Sequence, residues 1–501
     1  MQVRVRWCLT ATLLTCLLGA CGSSAPADIS TPVLPAAAIP LAGRTASARL
    51  LDWPEFGLDP QRSDVSELAT GITQVNVAHL KRRHLLLPGT VDSSPIYLHE
   101  VSVAGSLHDV IVLTTTYGKT LAIDGSSDQT LWTFTPPGYS HWAGSAQITV
   151  ASPLVDPDRL WVYTASPDGL IHKLALANGR QDTADGWPVR VTREPAHEKL
   201  GAALNVDGPD ILVATSGYIG DAPPYQGHVV AIDRSSGRIT AVYNTLCSNR
   251  RELLLPSSCP ASDSAILSRG GPVVEPGGGH ILIDTGNGPW NGSSDFGDSV
   301  LELTFPALDM SQAFTPVNQE ELNSGDLDLG SSAPALLGEN RVVAAGKDGI
   351  LRLLELSKLN DRSTRSHEVL GGELQRLSIP AGGQLFTAPA VWRRNGHTTM
   401  FVADEQATAA YVMRHGRLYR AWENHTPGTS PVMAGGLLYV YEPAAGGIYV
   451  YRPGSGRAIA KLPGQAGHWN SPIVVDGHVI EPEGNANAHE LQGALDIFSV
   501  G

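Results

Sequence analysis

Charge is scarce in this chain, and basic charge most of all. Of 501 residues 17% are charged, with Lys+Arg 35 against Asp+Glu 49 and a net charge of −14. Such a chain has no basic face on which to neutralise phosphates, so nucleic acid is excluded as a partner. Cysteine is sparse too, at 5 residues. No Cys-x-x-Cys-His occurs, so no covalently attached c-type haem is expected, and no two cysteines are adjacent. Gly-x-Ser-x-Gly and His-Glu-x-x-His are also missing, so neither a nucleophile elbow nor a zincin helix is indicated. What is abundant is glycine (53), proline (35) and hydrophobic residues (42%). That mixture argues for many turns and short strands rather than long helices. The chain is long enough to bury a core without a staple.

The N-terminus reads as a targeting segment. Arg4 and Arg6 precede the apolar run CLTATLLTCLL, which is too short for a stable membrane span. The sequence LLGAC then places Leu18, Gly19 and Ala20 ahead of Cys21. It resembles the lipobox of bacterial lipoproteins, which implies cleavage before Cys21 and a lipid on its thiol. An ordinary secretory signal is the plainer alternative. Residues 1–20 are therefore expected to be a signal and 21–48, rich in Ser, Ala, Pro and Thr, a flexible tether. Losing the signal takes two arginines and moves the net charge from −14 to −16. The resemblance implies a bacterial envelope location on the periplasmic side, with the bilayer as a partner through Cys21. Gly22 favours the outer membrane in a Gram-negative host. Cys247 and Cys259 remain as an even pair in an exported chain, which predicts a disulfide, with two free thiols as the alternative.

Internal repetition decides the architecture. A small residue, a proline and an apolar strand recur as SSPIYL, ASPLV, GGPVV, SAPALL, TAPAVW, TSPVM and NSPIVV, with prolines at 95, 153, 272, 334, 389, 431 and 472. The long gap after Pro153 hides a weaker unit at 201–217, GAALNVDGPDILVATSG. Each unit continues with strands rich in β-branched and aromatic residues, separated by Gly and Asp turns, as in TLAIDGSSDQTLW. Such units predict an all-β propeller over 49–501, with eight four-stranded antiparallel blades and seven as the alternative. The last unit has room for three strands. HLKRRHLLL at 79–87 can supply the fourth and close the ring.

The anchor, strand and A-x-D-x-x-[ST]-G-x-x-x-W pattern resembles the repeat of the quinoprotein dehydrogenase superfamily. That superfamily includes the alcohol dehydrogenases that use pyrroloquinoline quinone (PQQ) and the non-enzymatic BamB-like lipoprotein scaffolds. DTGNGPWNGSSDFGDS at 284–299 resembles the loop that supplies an Asn ligand to Ca²⁺ in the dehydrogenases. The resemblance implies Asn287 as a metal ligand and Trp290 as a cofactor neighbour. It implies Asp328, or Asp326 as second choice, as the catalytic carboxylate in SGDLDLGSS, and Lys347 as the cation at the quinone.

Other parts depart from the pattern. Arg269 stands where the family's stacking Trp is expected, and Ile219 where its Glu ligand is expected. Asp221 could replace that ligand only by a shift. Each candidate also has a plain reading. Asn287, Asp326 and Asp328 are turn formers, and Lys347-Asp348-Gly349 is a hairpin turn. His141-Trp142 and His468-Trp469 precede anchor strands and are candidates for ligand contact at the channel mouth. Trp132 is read as packing between blades.

Two functions therefore stand open. One is a tethered binding or scaffold propeller, with no cofactor, that takes a protein or small ligand at its loop face or channel. The other is a PQQ- and Ca²⁺-dependent dehydrogenase with an altered site. A hydrolase or lyase that uses the channel is a weaker third.

Overall fold

The structure, a computed structural model, describes residues 51–360 and 368–501. The expected signal, the whole of the tether and Cys21 lie outside the described residues. Among the described residues, no helix is long and apolar enough to cross a membrane.

Eight antiparallel sheets follow one another along the chain. Blades 1 to 7 occupy 96–134, 154–190, 205–244, 273–314, 335–378, 390–424 and 432–462. Blade 8 is composite, with three strands from 473–499 and its outermost strand, Lys81–Leu87, from near the N-terminus. Lys81–Leu87 pairs along its whole length with Gly493–Ser499, from Lys81 opposite Ser499 to Leu87 opposite Gly493. The ring is thus closed by main-chain hydrogen bonds between opposite ends of the sequence. The weak unit at 201–217 opens blade 3, which settles the count at eight.

Blades pack face to face, so their middle strands are covered on both sides. Thr120–Asp124 is buried at every position, and so is Leu437–Tyr441. This is why these strands read as continuous apolar runs rather than alternating ones. Each buried Leu or Ile in these seams contributes roughly 1.5–3 kcal/mol. The tryptophan of the repeat ties neighbouring blades. Trp132 of blade 1 donates from Nε1 to Leu176 O of blade 2 at 2.8 Å. A Cβ on Gly179 would stand 2.5 Å from the Trp132 ring, so this position has room for glycine alone. Trp422 of blade 6 repeats the arrangement over Gly456 of blade 7. Cys247 and Cys259 are joined in a disulfide across the insertion that follows blade 3, with their Cα atoms 6.2 Å apart.

The segment 52–66 lies across one end of the central channel. Trp53 exchanges both main-chain hydrogen bonds with Tyr97 of blade 1, and Pro54 O accepts from Val155 N of blade 2. Pro60 O accepts from Val274 N of blade 4 and from the Asn205 side chain of blade 3. Ser63 O and Asp64 O accept from Val391 N of blade 6 and Met433 N of blade 7. Val65–Ser66 then adds a parallel fifth strand to the inner edge of blade 7. All the blade partners are on first strands, so those strands face the channel.

Arg62 is the centre of this plug. It is buried, and it donates to Glu55 Oε2 at 2.8 Å, Phe56 O at 2.7 Å, Leu204 O at 2.8 Å and Gly270 O at 2.9 Å. Burial pushes the Glu55 carboxyl up to about 7, against the pull of Arg62. Arg62→Met should therefore cost about 3–5 kcal/mol, because Glu55 is left buried without its cation. The double variant Arg62→Met/Glu55→Leu should recover a large part of that loss. Urea unfolding midpoints of the two variants measure both effects, and equal midpoints would show that the pair is not coupled.

Candidate functional site at the channel mouth

At the end of the channel opposite the plug lies a cavity of about 430 Å³. One position of the repeat builds much of its wall. Asp92, Val150, Arg269, Ser331, Phe386 and Trp469 all line it. Each stands three places before an anchor proline, at 95, 153, 272, 334, 389 and 472. The chain enters every blade by way of the channel, so this position projects its side chain inward each time.

The floor is an ion pair. Arg269 NH2 meets Asp92 Oδ1 at 3.1 Å, and Arg269 NH1 donates to Asp92 O at 2.8 Å. Both residues are buried. His468 Nδ1 lies 2.8 Å from the second Asp92 oxygen, and Ala486 N donates to the same oxygen at 3.0 Å. Burial opposes ionisation of Asp92, but Arg269 and His468 outweigh it and hold the carboxyl well below its usual range. One side of the cavity is aromatic. Trp469 stacks on Phe386 with centroids 4.7 Å apart and on His468 at 4.0 Å, and Arg269 sits 5.2 Å from the Trp469 ring centre. Beyond this wall a second, acidic cavity of about 360 Å³ shares Phe386, His468 and Trp469. There burial raises Asp404 to about 6.

The facing side carries the loops of blades 3 and 5. A short ribbon pairs Glu198–Lys199 with Ser216–Gly217 and sets Lys199 and the 217–221 turn at the rim. Burial, with Arg269 nearby, lowers Lys199 to about 8, against Asp92 and Asp221. Lys347 Nζ bridges Asp328 Oδ2 at 2.5 Å and Asp326 Oδ1 at 2.9 Å. Burial lifts the Asp328 carboxyl above its ordinary value, and Lys347 opposes that.

The turn-rich stretch 284–299 connects the second and third strands of blade 4 and leans on this loop. Asn287 N donates to Asp328 Oδ1 at 2.6 Å. That approach requires Gly286, since a Cβ there would stand 2.4 Å from the same oxygen. Asp298 Oδ1 in turn accepts from Leu329 N at 3.2 Å.

Comparison with known proteins agrees with this construction. The family described as outer membrane protein assembly factor BamB matches residues 86–253. That match spans blades 1 to 3. Among solved structures it is similar to a quinohemoprotein alcohol dehydrogenase from Comamonas testosteroni, at 14% identity over 91% of this chain and 82% of that one, TM-score 0.61. It is similar to a europium-containing methanol dehydrogenase, at 14% identity over 91% and 100%, TM-score 0.66. It also resembles BamB from Moraxella catarrhalis, at 13% identity over 84% and 100%, TM-score 0.51. At these identities the likeness is one of fold. No curated protein sequence matches significantly.

Within this propeller the expected site residues divide into two groups. Asp221, Arg269, Asp326, Asp328 and Lys347 converge on one cavity. Asn287 and Trp290 are not among its lining residues. Asn287 meets the cavity wall through its main chain, and Trp290 packs against the core between blades 3 and 4. Asp221 is engaged by the Tyr225 hydroxyl at 3.1 Å, and Ile219 lies exposed at the rim. His468 and Trp469 line the cavity, whereas Trp142 is buried against Tyr117 O. Neither group of His and carboxylate side chains found close enough to share a cation, among the described residues, lies at this cavity. Asp92, Lys199 and Phe386 were not expected. The spacing to the anchor proline marks Asp92 and Phe386, but nothing in the local sequence marks Lys199.

The loop contact makes a testable pH dependence. Burial raises Asp298 from its ordinary 3.8 to about 8 in the folded chain. Between those values the unfolded chain loses the proton first, so this group makes stability fall as pH rises, by at most about 1.4 kcal/mol per unit. Asp298→Asn keeps an acceptor for Leu329 and removes the titration. Its melting temperature should gain on wild type steadily from pH 5 to pH 8. A constant difference across that range would show that Asp298 is not held protonated.

Proposed function

We propose that this chain is a non-catalytic binding propeller of the cell envelope, tethered by a lipid on Cys21, whose channel mouth receives a ligand or a segment of a partner protein. The Arg269–Asp92 pair across the channel floor carries the reading. A quinone needs a flat apolar floor, a metal with anionic ligands and a cation free for its carboxylates. Here the floor is a buried ion pair, and Asn287 lies outside the lining, with its main-chain N–H bonded to Asp328. Lys347 is committed to two aspartates. The residues present do not fit PQQ with Ca²⁺.

A second reading, a PQQ-dependent dehydrogenase, is favoured by one observation. Asp328 stands buried at the cavity wall beside Lys347, in the order that the dehydrogenase resemblance implies. Titration of the purified chain with PQQ and Ca²⁺, read by quinone absorbance and dye-linked alcohol oxidation, separates the two. We expect no stoichiometric uptake at micromolar concentration. Uptake that supports turnover and is lost in Asp328→Ala would install the dehydrogenase instead.

The tether has its own test. Several acyl chains anchor a protein stably, whereas one binds only marginally. Cys21→Ser should move the protein from the membrane pellet to the soluble periplasmic fraction. A variant that still pellets has its anchor elsewhere.

A further inference from the structure

The seam that closes the ring holds a second cluster of charged groups, remote in sequence from the residues of the channel mouth. Three strands of blade 8 meet there. Register places His84, Asp496 and Glu481 in one row, with Asp496 opposite both His84 and Glu481. Directly paired residues share a face of a sheet, and so does Glu483, two places along from Glu481. Three carboxylates and an imidazole therefore crowd one side of the closing blade. Candidate ligand atoms of His84, Glu483 and Asp496 all lie within 4.8 Å of one another.

Among the described residues this cluster is only partly satisfied. Glu481 is 1% exposed, and neither of its carboxylate oxygens has a hydrogen-bond partner among the described residues. Glu483 is 3% exposed, and its Oε2 is likewise bare. Its Oε1 accepts from Gln465 N at 2.6 Å. Asp496 takes Arg82 through Nε at 2.9 Å and NH2 at 2.7 Å, and His84 Nδ1 at 2.7 Å. Arg82 NH2 is 4.0 Å from Glu483 Oε1 and is the one guanidinium paired with the cluster among the described residues. With all three carboxylates ionised, Arg82 leaves two negative charges uncompensated. Buried carboxylates without partners are costly, and like charges this close cannot all ionise alone.

We propose that His84, Glu483 and Asp496, with Glu481 buried beside them, form a binding site for one divalent first-row cation, Zn²⁺ foremost, which pins the N-terminal strand into the last blade. A dication matches the two uncompensated charges. An imidazole nitrogen among carboxylate oxygens suits zinc better than calcium. His84 keeps about a third of its side chain exposed and gives the ion a way in. The Gln465 side-chain amide lies 3.3 Å from His84 Nε2. With its oxygen turned inward, that amide accepts from the outer N–H of a ligating imidazole and fixes the ring.

The neighbouring group His99, Asp109 and Asp476 lacks these features. Its Asp476 already accepts from the Tyr97 hydroxyl at 2.8 Å, and Asp109 from Glu100 N at 2.9 Å. It serves as the internal control.

The full chain, stripped with chelator and desalted, is titrated with ZnCl₂ by calorimetry, and retained zinc is counted by mass spectrometry. Wild type should hold one zinc per chain and melt several degrees higher with it, as expected when a ligand binds the folded state alone. His84→Ala, at the exposed rim, should lose at least tenfold in affinity and the melting shift, with an unchanged circular dichroism spectrum. Glu481→Gln should weaken zinc similarly while removing one buried charge. His99→Ala should leave the stoichiometry at one. A wild type that retains no zinc would overturn the proposal and leave the carboxylates sharing protons. So would zinc retained equally in His84→Ala and Glu481→Gln, or lost in His99→Ala alone.

Discussion

A ring of blades has a hole at its centre, and the contact of Arg62 with Glu55 is what lets this chain fill it. The segment 52–66 has too few apolar residues to plug a channel by burial alone. It is held by main-chain bonds to blades 1, 2, 4, 6 and 7 and by the Asn205 and Arg62 side chains. Arg62 spends its donors on three carbonyls and one carboxylate, all within 2.9 Å. An arginine buried this way is satisfied only if blades 3 and 4 stand at fixed positions around it, because Leu204 and Gly270 supply two of those carbonyls. The plug therefore sets ring geometry as well as sealing one end. Access to the central cavity is then left to the loop face.

Floor and plug are mechanically joined. Gly270 offers its carbonyl to Arg62, and its neighbour Arg269 sends its side chain to Asp92 at the approach to blade 1. One dipeptide thus carries the packing of the sealed end to the base of the open one. Asp92 passes the constraint on to His468, which stacks on Trp469. The aromatic wall, the floor and the plug form one connected set, drawn from the approaches to blades 1, 4 and 8.

The fold was legible because its rules are local and repeated. An anchor proline in seven of the eight units, a turn glycine and a docking tryptophan recur often enough to count blades, and the surplus strand at 79–87 announced the closure. Blade 3 was the weak unit because it has no anchor proline. The site was legible only in part. Arg269 and Asp328 reach the cavity from the approaches to blades 4 and 5, and Asp221 and Lys347 from the connections between the second and third strands of blades 3 and 5. Asn287 and Trp290 belong to a hairpin connection whose geometry is decided by close backbone approach at Gly286, and no spacing reveals which way its side chains turn. Lys199 depends on a two-residue ribbon with Ser216–Gly217 that has no strand-like pattern in sequence. Asp92 sits in a Ser-rich anchor that reads as a turn, and its partner is 177 positions away.

Scarcity of charge gives the remaining charges their meaning. Most of the surface work in a propeller can be done by Ser, Thr, Asn and Gly, so a buried Arg or Lys is a structural commitment. Arg62–Glu55, Arg269–Asp92, Lys347–Asp328 and Arg352–Asp348 are each enclosed or nearly so. Such pairs add little net stability over apolar residues of the same shape, but breaking one is severe. Of the four, Arg269–Asp92 is the pair that joins the approaches of two different blades. Arg269 meets its aspartate at the approach to blade 1. Replacing it with a flat ring would strand Asp92 between His468 and the apolar wall. The character of the cavity floor is therefore not a property of one residue. It belongs to a pair that spans the channel, and a cofactor floor could arise here only by changing both ends at once.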